Sequence, residues 1–140
     1  MDEHSLGTIE LELAILIRRT TAISTRRKIG NLDRSAYLLL HQIVSNGSAG
    51  VKALADEFQL DISTVSRQAA ALEQKGYVYR IPDPVDGRVY SYQITDLGKK
   101  ELAEYKQVRM ARIAELLNDW TDQEREEFGQ LLKKFNHSFI

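Results

Sequence analysis

The 140-residue sequence contains no cysteine. That absence excludes disulfides, thiolate zinc sites, iron–sulfur clusters and thiol-based redox switching. Proline is nearly as scarce, with two residues, and glycine numbers only eight, so little interrupts regular structure and the chain should fold. No apolar run approaches the roughly 20 residues of a bilayer-spanning helix. The opening stretch, Met1 to Leu6, lacks the basic start and apolar segment of a secretory signal, so a cytoplasmic location is expected. The three histidines, His4, His41 and His137, share no metal-ligand spacing, and His41 reads as a packing or surface residue. No nucleophile–base pair, phosphate-binding loop or paired-carboxylate site can be assembled; no catalytic residue, metal or cofactor is expected. An excess of charge of one sign is missing too. Nineteen basic residues face twenty acidic ones, and between Val51 and Thr95 five basic residues face six acidic ones, so bulk charge offers no sign of a polyanionic partner.

What is present is an ordinary globular balance, 43% hydrophobic and 28% charged, in a chain long enough for one domain with a real core. Leu6, Ile9, Leu13, Leu16, Ile17 and Ile23 recur at helical spacing from Ser5 to Ile29. The run ends in Arg26, Arg27, Lys28 and Gly30, the cations and glycine that suit a helix C-terminus. Asp33 is placed to cap a second helix, with Leu32 and Tyr37 as a hydrophobic staple and an end near Asn46 and Gly47. After the connection Gly47-Ser48-Ala49-Gly50, Val51 to Phe58 reads as a short helix and Gln59-Leu60 as a turn. A further helix, capped by Asp61, runs to Lys75 and stops at Gly76. Two helices joined this briefly suggest a helix-turn-helix. Tyr77 to Ile81 and Val89 to Ile94 then read as the strands of a β-hairpin around the turn Pro82 to Gly87, with Tyr77, Tyr79, Tyr90 and Tyr92 packing and their hydroxyls at its wet edge. Thr95 caps a long helix through about Asn118. Thr121-Asp122-Gln123-Glu124 is a capping box that opens a last helix carrying Phe128, Leu131, Leu132, Phe135 and Phe139.

In the helix after Asp61, a rotation of about 100° per residue puts Ile62, Val65, Ala69 and Leu72 on one stripe, expected to face the core. Ser63, Arg67, Ala70, Ala71 and Gln74 point away, flanked by Thr64 and Ser66. Small side chains would let this backbone enter a major groove, hydroxyls would bond phosphates, and arginine can read guanine through two hydrogen bonds. A solvated polar face fits the same pattern when the helix is taken alone. The hairpin adds what the helix lacks: a helix stopped by glycine and feeding a two-stranded ribbon with a polar tip is a wing.

The order of helices and the runs Leu54-Ala55, Ser63-Thr64-Val65-Ser66-Arg67, Leu72-Glu73, Lys75-Gly76, Asp83-Pro84, Asp86-Gly87-Arg88 and Ile94-Thr95 with Gly98 resemble the MarR family of bacterial transcriptional regulators over nearly the whole chain. The resemblance implies a mainly α protomer of six helices with a small β-hairpin wing, a winged helix-turn-helix. Residues 31–96 would form the DNA-binding lobe, and 1–30 with 97–140 a helical dimerisation region. It implies double-stranded DNA as partner, read by Ser63, Thr64, Ser66, Arg67 and Gln68, with Asp86 bracing Arg88 in the adjacent minor groove. The position between those two is often basic in relatives and is Gly87 here, which removes a possible phosphate contact. The family also implies a homodimer acting as a repressor, and a small phenolic or lipophilic effector bound near Tyr37 and His41. Leu6, Ile9, Leu13, Leu132, Phe135, Phe139 and Ile140 are the residues expected to bury against a second copy. A winged helix used for protein contact is the alternative, favoured by the neutral charge and opposed by the positions of Arg67 and Arg88.

Overall fold

A computed structural model describes residues 2–24 and 32–139. In chain order these form α1 (Glu3–Ser24), α2 (Arg34–Asn46), β1 (Ala49–Gly50), α3 (Val51–Phe58), α4 (Ile62–Gln74), β2 (Val78–Pro82), β3 (Tyr90–Ile94), α5 (Asp96–Leu116) and α6 (Asp122–His137). The architecture is that of a mainly α winged helix-turn-helix, as expected. The chain divides into two compact units, Met1–Tyr105 and Lys106–Ile140.

Local chemistry accounts for most of the boundaries in the first unit. Helix α1 starts before Ser5, because Asp2 accepts hydrogen bonds from the His4 amide at 3.0 Å and the Ser5 hydroxyl at 2.6 Å. Its expected stop, Arg26, Arg27, Lys28 and Gly30, lies outside the described residues. Asp33 caps α2 through the Ala36 amide at 2.8 Å, and Leu32 before it is buried with Tyr37 packed against the same core. Helix α4 ends as read. The Gly76 amide bonds Glu73 O and the Tyr77 amide bonds Leu72 O, both at 3.0 Å, the paired closure that needs a left-handed residue between helix and strand. Gly76 supplies it at φ 82°.

The core of this unit is made where α2, α3 and α4 meet the sheet. Leu39, Leu40 and Ile43 from α2, Leu54 and Ala55 from α3, and Val65, Ala69 and Leu72 from α4 are buried with Tyr77, Val78 and Tyr92. Burying each of the larger aliphatic side chains stabilises the fold by about 1.5 to 3 kcal/mol. The sheet has three antiparallel strands in the order β1-β3-β2, not two. The supposed connection Ala49-Gly50 pairs with β3, Ala49 opposite Tyr92 and Gly50 opposite Ser91. On the other side of β3 the register runs from Val78 opposite Ile94 to Pro82 opposite Tyr90.

Thr95 ties the sheet to the next helix in both directions. Its hydroxyl donates to Gly76 O at 2.6 Å and accepts the Gly98 amide at 3.0 Å, so one side chain joins the end of α4 to the start of α5. Gly98 sits so close beneath this junction that an added Cβ would fall on the Tyr77 carbonyl oxygen and 2.7 Å from Ile94 Cγ1. Further along α5, Tyr105 stacks on Tyr37 of α2, the ring centroids 4.4 Å apart.

In the second unit, the capping box that opens α6 is complete. Thr121 Oγ1 accepts the Glu124 amide at 3.1 Å while Glu124 Oε1 accepts the Thr121 amide at 2.9 Å. Arg125 donates to the carbonyl of Leu117 from Nε and Nη2, at 3.2 and 3.0 Å, on an oxygen just past the end of α5 that also accepts the Trp120 amide at 3.0 Å. Among the described residues, α6 buries none of its side chains.

Candidate nucleic-acid interface

Two elements carry the candidate residues, α4 and the loop between β2 and β3. Along α4 the side chains divide as the rotation argument requires from Val65 onward: Val65, Ala69 and Leu72 are buried, while Ser63, Arg67, Ala70, Ala71 and Gln74 are exposed, with Thr64, Ser66 and Gln68 between. Ile62 departs from the expected core stripe, being 55% exposed. It is the first residue of the helix and lies past the end of the core, so its angular phase alone does not bury it. Asp61 occupies the N-cap position but its carboxylate makes no capping hydrogen bond, another departure. With an extended backbone (ψ 144°), the residue ends the turn while its charge stays at the mouth of the helix.

The α3–α4 turn owes its tightness to Gln59, which takes the left-handed conformation at φ 53°. Its amide bonds Asp56 O at 3.3 Å and the Leu60 amide bonds Ala55 O at 3.0 Å. A non-glycine residue in this conformation is costly, by about 1 kcal/mol or more, and the sequence offered no sign of it.

At the wing tip, Arg88 and Asp86 form the pair that the resemblance to the family implied. Asp86 Oδ1 accepts the Arg88 amide at 3.1 Å and its Nε at 3.2 Å, and Oδ2 lies 3.4 Å from Nη2. The guanidinium beside it, together with the Arg88 amide, holds the Asp86 carboxyl below its ordinary range. The Arg88 side chain remains 92% exposed, so the brace orients it without burying it. Sequence reasoning missed a second carboxylate in the same loop. Asp83 Oδ1 accepts the Val85 amide at 2.8 Å and the Asp86 amide at 3.1 Å, and these bonds lower its pKa too. The Asp83-Pro-Val-Asp86 spacing was the available signal, since a short carboxylate ahead of a turn commonly bonds amides two and three residues on.

The wing is also joined to α4. Arg80 on β2 donates through Nε to Glu73 Oε1 at 2.9 Å and lies 4.4 Å from the centre of the Tyr90 ring. The bond to Glu73 is the main reason its pKa is raised. Tyr79 hydrogen-bonds Gln93 across the hairpin. Tyr92 corrects the expectation that the wing hydroxyls reach water: it is fully buried, and among the described residues its hydroxyl has no hydrogen-bond partner. Burial pushes this phenol up; Tyr77 is raised by burial first and the nearby Glu101 second. Of the two residues named for an effector, Tyr37 is half-buried in its stack with Tyr105, and His41 is exposed, its ring 6.2 Å from that of Tyr37. No group of histidine, aspartate and glutamate suited to a metal occurs among the described residues, and none of their helices is long and apolar enough to cross a membrane.

Comparison with known proteins decides what this arrangement belongs to. The sequence profile of the MarR family matches residues 32–90, from α2 to the start of β3. Over 140 residues the chain is 48% identical to the uncharacterized HTH-type transcriptional regulator YxaD of Bacillus subtilis (strain 168), covering 99% of this chain and 98% of the relative. The chain belongs to the MarR family. It is a DNA-binding transcriptional regulator and not an enzyme. Another relative, the HTH-type transcriptional regulator BilQ of Clostridioides difficile (strain CD3), is 27% identical over 98 residues, 70% of this chain and 61% of its own length. Among solved structures, a MarR family protein from Bacillus stearothermophilus shares the fold with a TM-score of 0.77 at 22% identity, over 99% of this chain and 98% of that one. The PcaV transcriptional regulator from Streptomyces coelicolor, solved in complex with its natural ligand, has a TM-score of 0.71 at 21% identity, over 96% of each chain. Within this MarR-family fold α4 is the second helix of the helix-turn-helix and the β2–β3 hairpin is the wing.

Proposed function

We propose that this MarR-family chain is a cytoplasmic repressor that binds a pseudo-palindromic operator as a homodimer and is released by a small-molecule effector. The observation that carries the DNA reading is the exposed Arg88 guanidinium, held by Asp86 at the tip of a wing that Glu73 and Arg80 connect to α4. In this reading α4 enters the major groove. Ser63, Thr64, Ser66 and Gln68 set its position through hydrogen bonds to phosphates and base edges, and Arg67 reads a base. Arg88 enters the flanking minor groove, where a narrow A·T-rich segment concentrates negative potential. Two-fold symmetry then requires half-sites about 10 bp apart or a multiple of a turn.

The dimer is supported by the apolar side chains that α1 and α6 each leave in solvent. Leu6, Ile9, Leu16 and Ile17 on the one, and Leu131, Leu132 and Phe135 on the other with Phe139 just beyond its end, are all exposed. Residues 1–30 with 97–140 would supply this region. Of the residues expected at the interface, Ile140 lies outside the described residues. Release by an effector rests on the family alone, PcaV having been solved with its natural ligand, and Tyr37 and His41 mark where such a molecule is sought first. Footprinting on the intergenic DNA upstream of the gene, repeated with candidate phenolic and lipophilic compounds, tests the whole reading. A protected pseudo-palindrome that is lost on adding one compound is the expected result, and no protection at any low-salt condition refutes it.

A further inference from the structure

The wing tip is held together in a way that singles out one residue. Nothing apolar anchors it: Val85 is 96% exposed, and Pro82 and Pro84 bring no amide to the loop. Its closure depends on hydrogen bonds. The Asp83 amide donates to Val89 O at 2.8 Å and the Val89 amide to Asp86 O at 3.0 Å, while Asp83 Oδ1 gathers the amides of Val85 and Asp86 from inside the turn. Asp86 in turn takes the amide and Nε of Arg88. A continuous line of hydrogen bonds therefore runs from the Asp83 carboxylate through the Asp86 main chain and carboxylate to the Arg88 guanidinium.

We propose that Asp83 is a positioning residue for DNA binding, fixing the turn from which Asp86 aims Arg88. The proposal rests on the reading of Arg88 as a groove contact. A carboxylate is otherwise unwelcome beside a phosphate backbone, so its value at this place lies in ordering. Freed from Asp83, the 83–89 loop regains backbone freedom that must be lost again on binding, and the loss appears as weaker affinity. Bonds from two amides to one ionised oxygen are stronger than neutral ones, yet an amide oxygen at the same place can accept both, so asparagine substitutes where alanine cannot. The lowered pKa of Asp83 accords with that bonding.

The test uses a duplex selected by the unaltered full chain from a random-core library. Its affinity is measured by fluorescence anisotropy for the parent, Arg88→Ala, Asp83→Ala, Asp83→Asn and the Asp83→Ala/Arg88→Ala double variant, with 15N relaxation of the Val85, Asp86 and Arg88 amides. Arg88→Ala should weaken binding roughly tenfold. Asp83→Ala should reproduce most of that loss and mobilise the three amides; Asp83→Asn should bind within about twofold of the parent with the amides still ordered, since each hydrogen bond it keeps is only modestly weakened. The double variant should be no weaker than Arg88→Ala alone, because two residues acting through one groove interaction are not additive. Parent-like binding by Asp83→Ala beside a weakened Arg88→Ala, additive losses in the double variant, or an Asp83→Ala chain that no longer folds would each overturn the positioning role. Failure to select any duplex, or parent-like binding by Arg88→Ala, overturns instead the groove-contact reading beneath it and removes the residue to be positioned.

Discussion

Glu73 in the last turn of α4 and Arg80 on β2 are joined by a hydrogen-bonded ion pair of 2.9 Å, and the guanidinium also lies over the Tyr90 ring of β3. The two DNA-facing elements of the proposed mechanism are thereby fixed to each other by one side chain. Both partners are partly exposed, so the pair adds little to stability. Its consequence is geometric. Glu73→Gln should leave thermal melting nearly unchanged yet weaken operator binding severalfold, because the wing no longer meets its groove at a set distance from α4. Melting curves and anisotropy titrations on the same preparations check this, and a large fall in melting temperature with unaltered affinity would show the pair to be structural.

Arg67 and Arg88 should behave differently when removed. Arg67→Ala is expected to cost roughly 1 to 3 kcal/mol per half-site and to relax preference at one base position. Arg88→Ala should weaken binding to most sequences and flatten the dependence of affinity on salt by about one unit for each guanidinium withdrawn from the DNA. Competition against a set of single-base operator variants across salt separates the two. Equal effects on selectivity would refute this division of labour.

Asp61 predicts a gain. Its carboxylate stands at the N-terminus of α4 without a capping bond, where a DNA phosphate would otherwise meet helix amides and a favourable dipole. Asp61→Ser keeps a residue suited to the cap and removes the charge. Affinity for operator and for unrelated DNA should rise together by a few fold, with stability altered by less than about 1 kcal/mol. Unchanged or weaker binding at low salt counts against α4 approaching the backbone by that end.

The wing should be sensitive to pH only in acid. Asp83 and Asp86 are both held below the 3.8 of an unperturbed aspartate, by the amides of Val85 and Asp86 for the first and chiefly by Arg88 for the second. A carboxylate with a depressed folded-state pKa stabilises the fold above its unfolded value, and that contribution is lost as pH falls through the depressed value. The tip should therefore stay ordered down to about pH 4 and loosen only below. Carboxyl carbon shifts and the Arg88 Nε–H resonance followed by NMR give the midpoints; a transition near pH 6 would contradict the pairing.

Gly98→Ala tests the junction between wing and α5. Alanine is favoured over glycine in a helix by about 1 kcal/mol, but here its Cβ would meet the Tyr77 carbonyl and Ile94. The obstruction is backbone and cannot swing aside, so overpacking of about 1 to 3 kcal/mol should prevail. A lowered midpoint in urea with unchanged slope is the expected result, and an unchanged or raised midpoint would show that the helix can shift.

Where a feature depended on neighbours within a turn or two, the sequence carried it. Asp33, Gly76, the Thr121–Glu124 box and the phase of Val65, Ala69 and Leu72 are of this kind, whereas the Asp86–Arg88 pair came from the resemblance to the family, its residues alone reading as a common turn. Much of what escaped depends on distant chain, the uncapped Asp61 and the left-handed Gln59 being local exceptions. β1 is two residues long, too short for any period, and exists because β3 offers a free edge. Ile62 has the right phase for burial but no core beside it, and the Tyr92 hydroxyl is enclosed by elements that alternation along β3 cannot reveal. Asp83 was local yet read only as turn composition, because a proline-containing tip explains itself until its amides are traced to an acceptor.

Helix α6 buries no side chain, and Leu131 is 62% exposed. Leu131 recurs with Phe128, Leu132 and Phe135 at the spacing of one helical face, and Phe135 meets Phe139 edge to face at 5.3 Å. A stripe of this kind exposed in a single chain is what an isologous interface covers. The parent should therefore sediment as a dimer at micromolar concentration, and a Leu131→Asp/Phe135→Asp variant as a monomer or an aggregate. Losing the dimer should cost far more DNA affinity than removing Arg67 or Arg88 from an intact one, because the second half-site is then no longer held at high effective concentration. Arg88→Ala provides the control, remaining dimeric while binding weakly. A parent that sediments as a stable monomer and still protects two half-sites would overturn the proposed dimer.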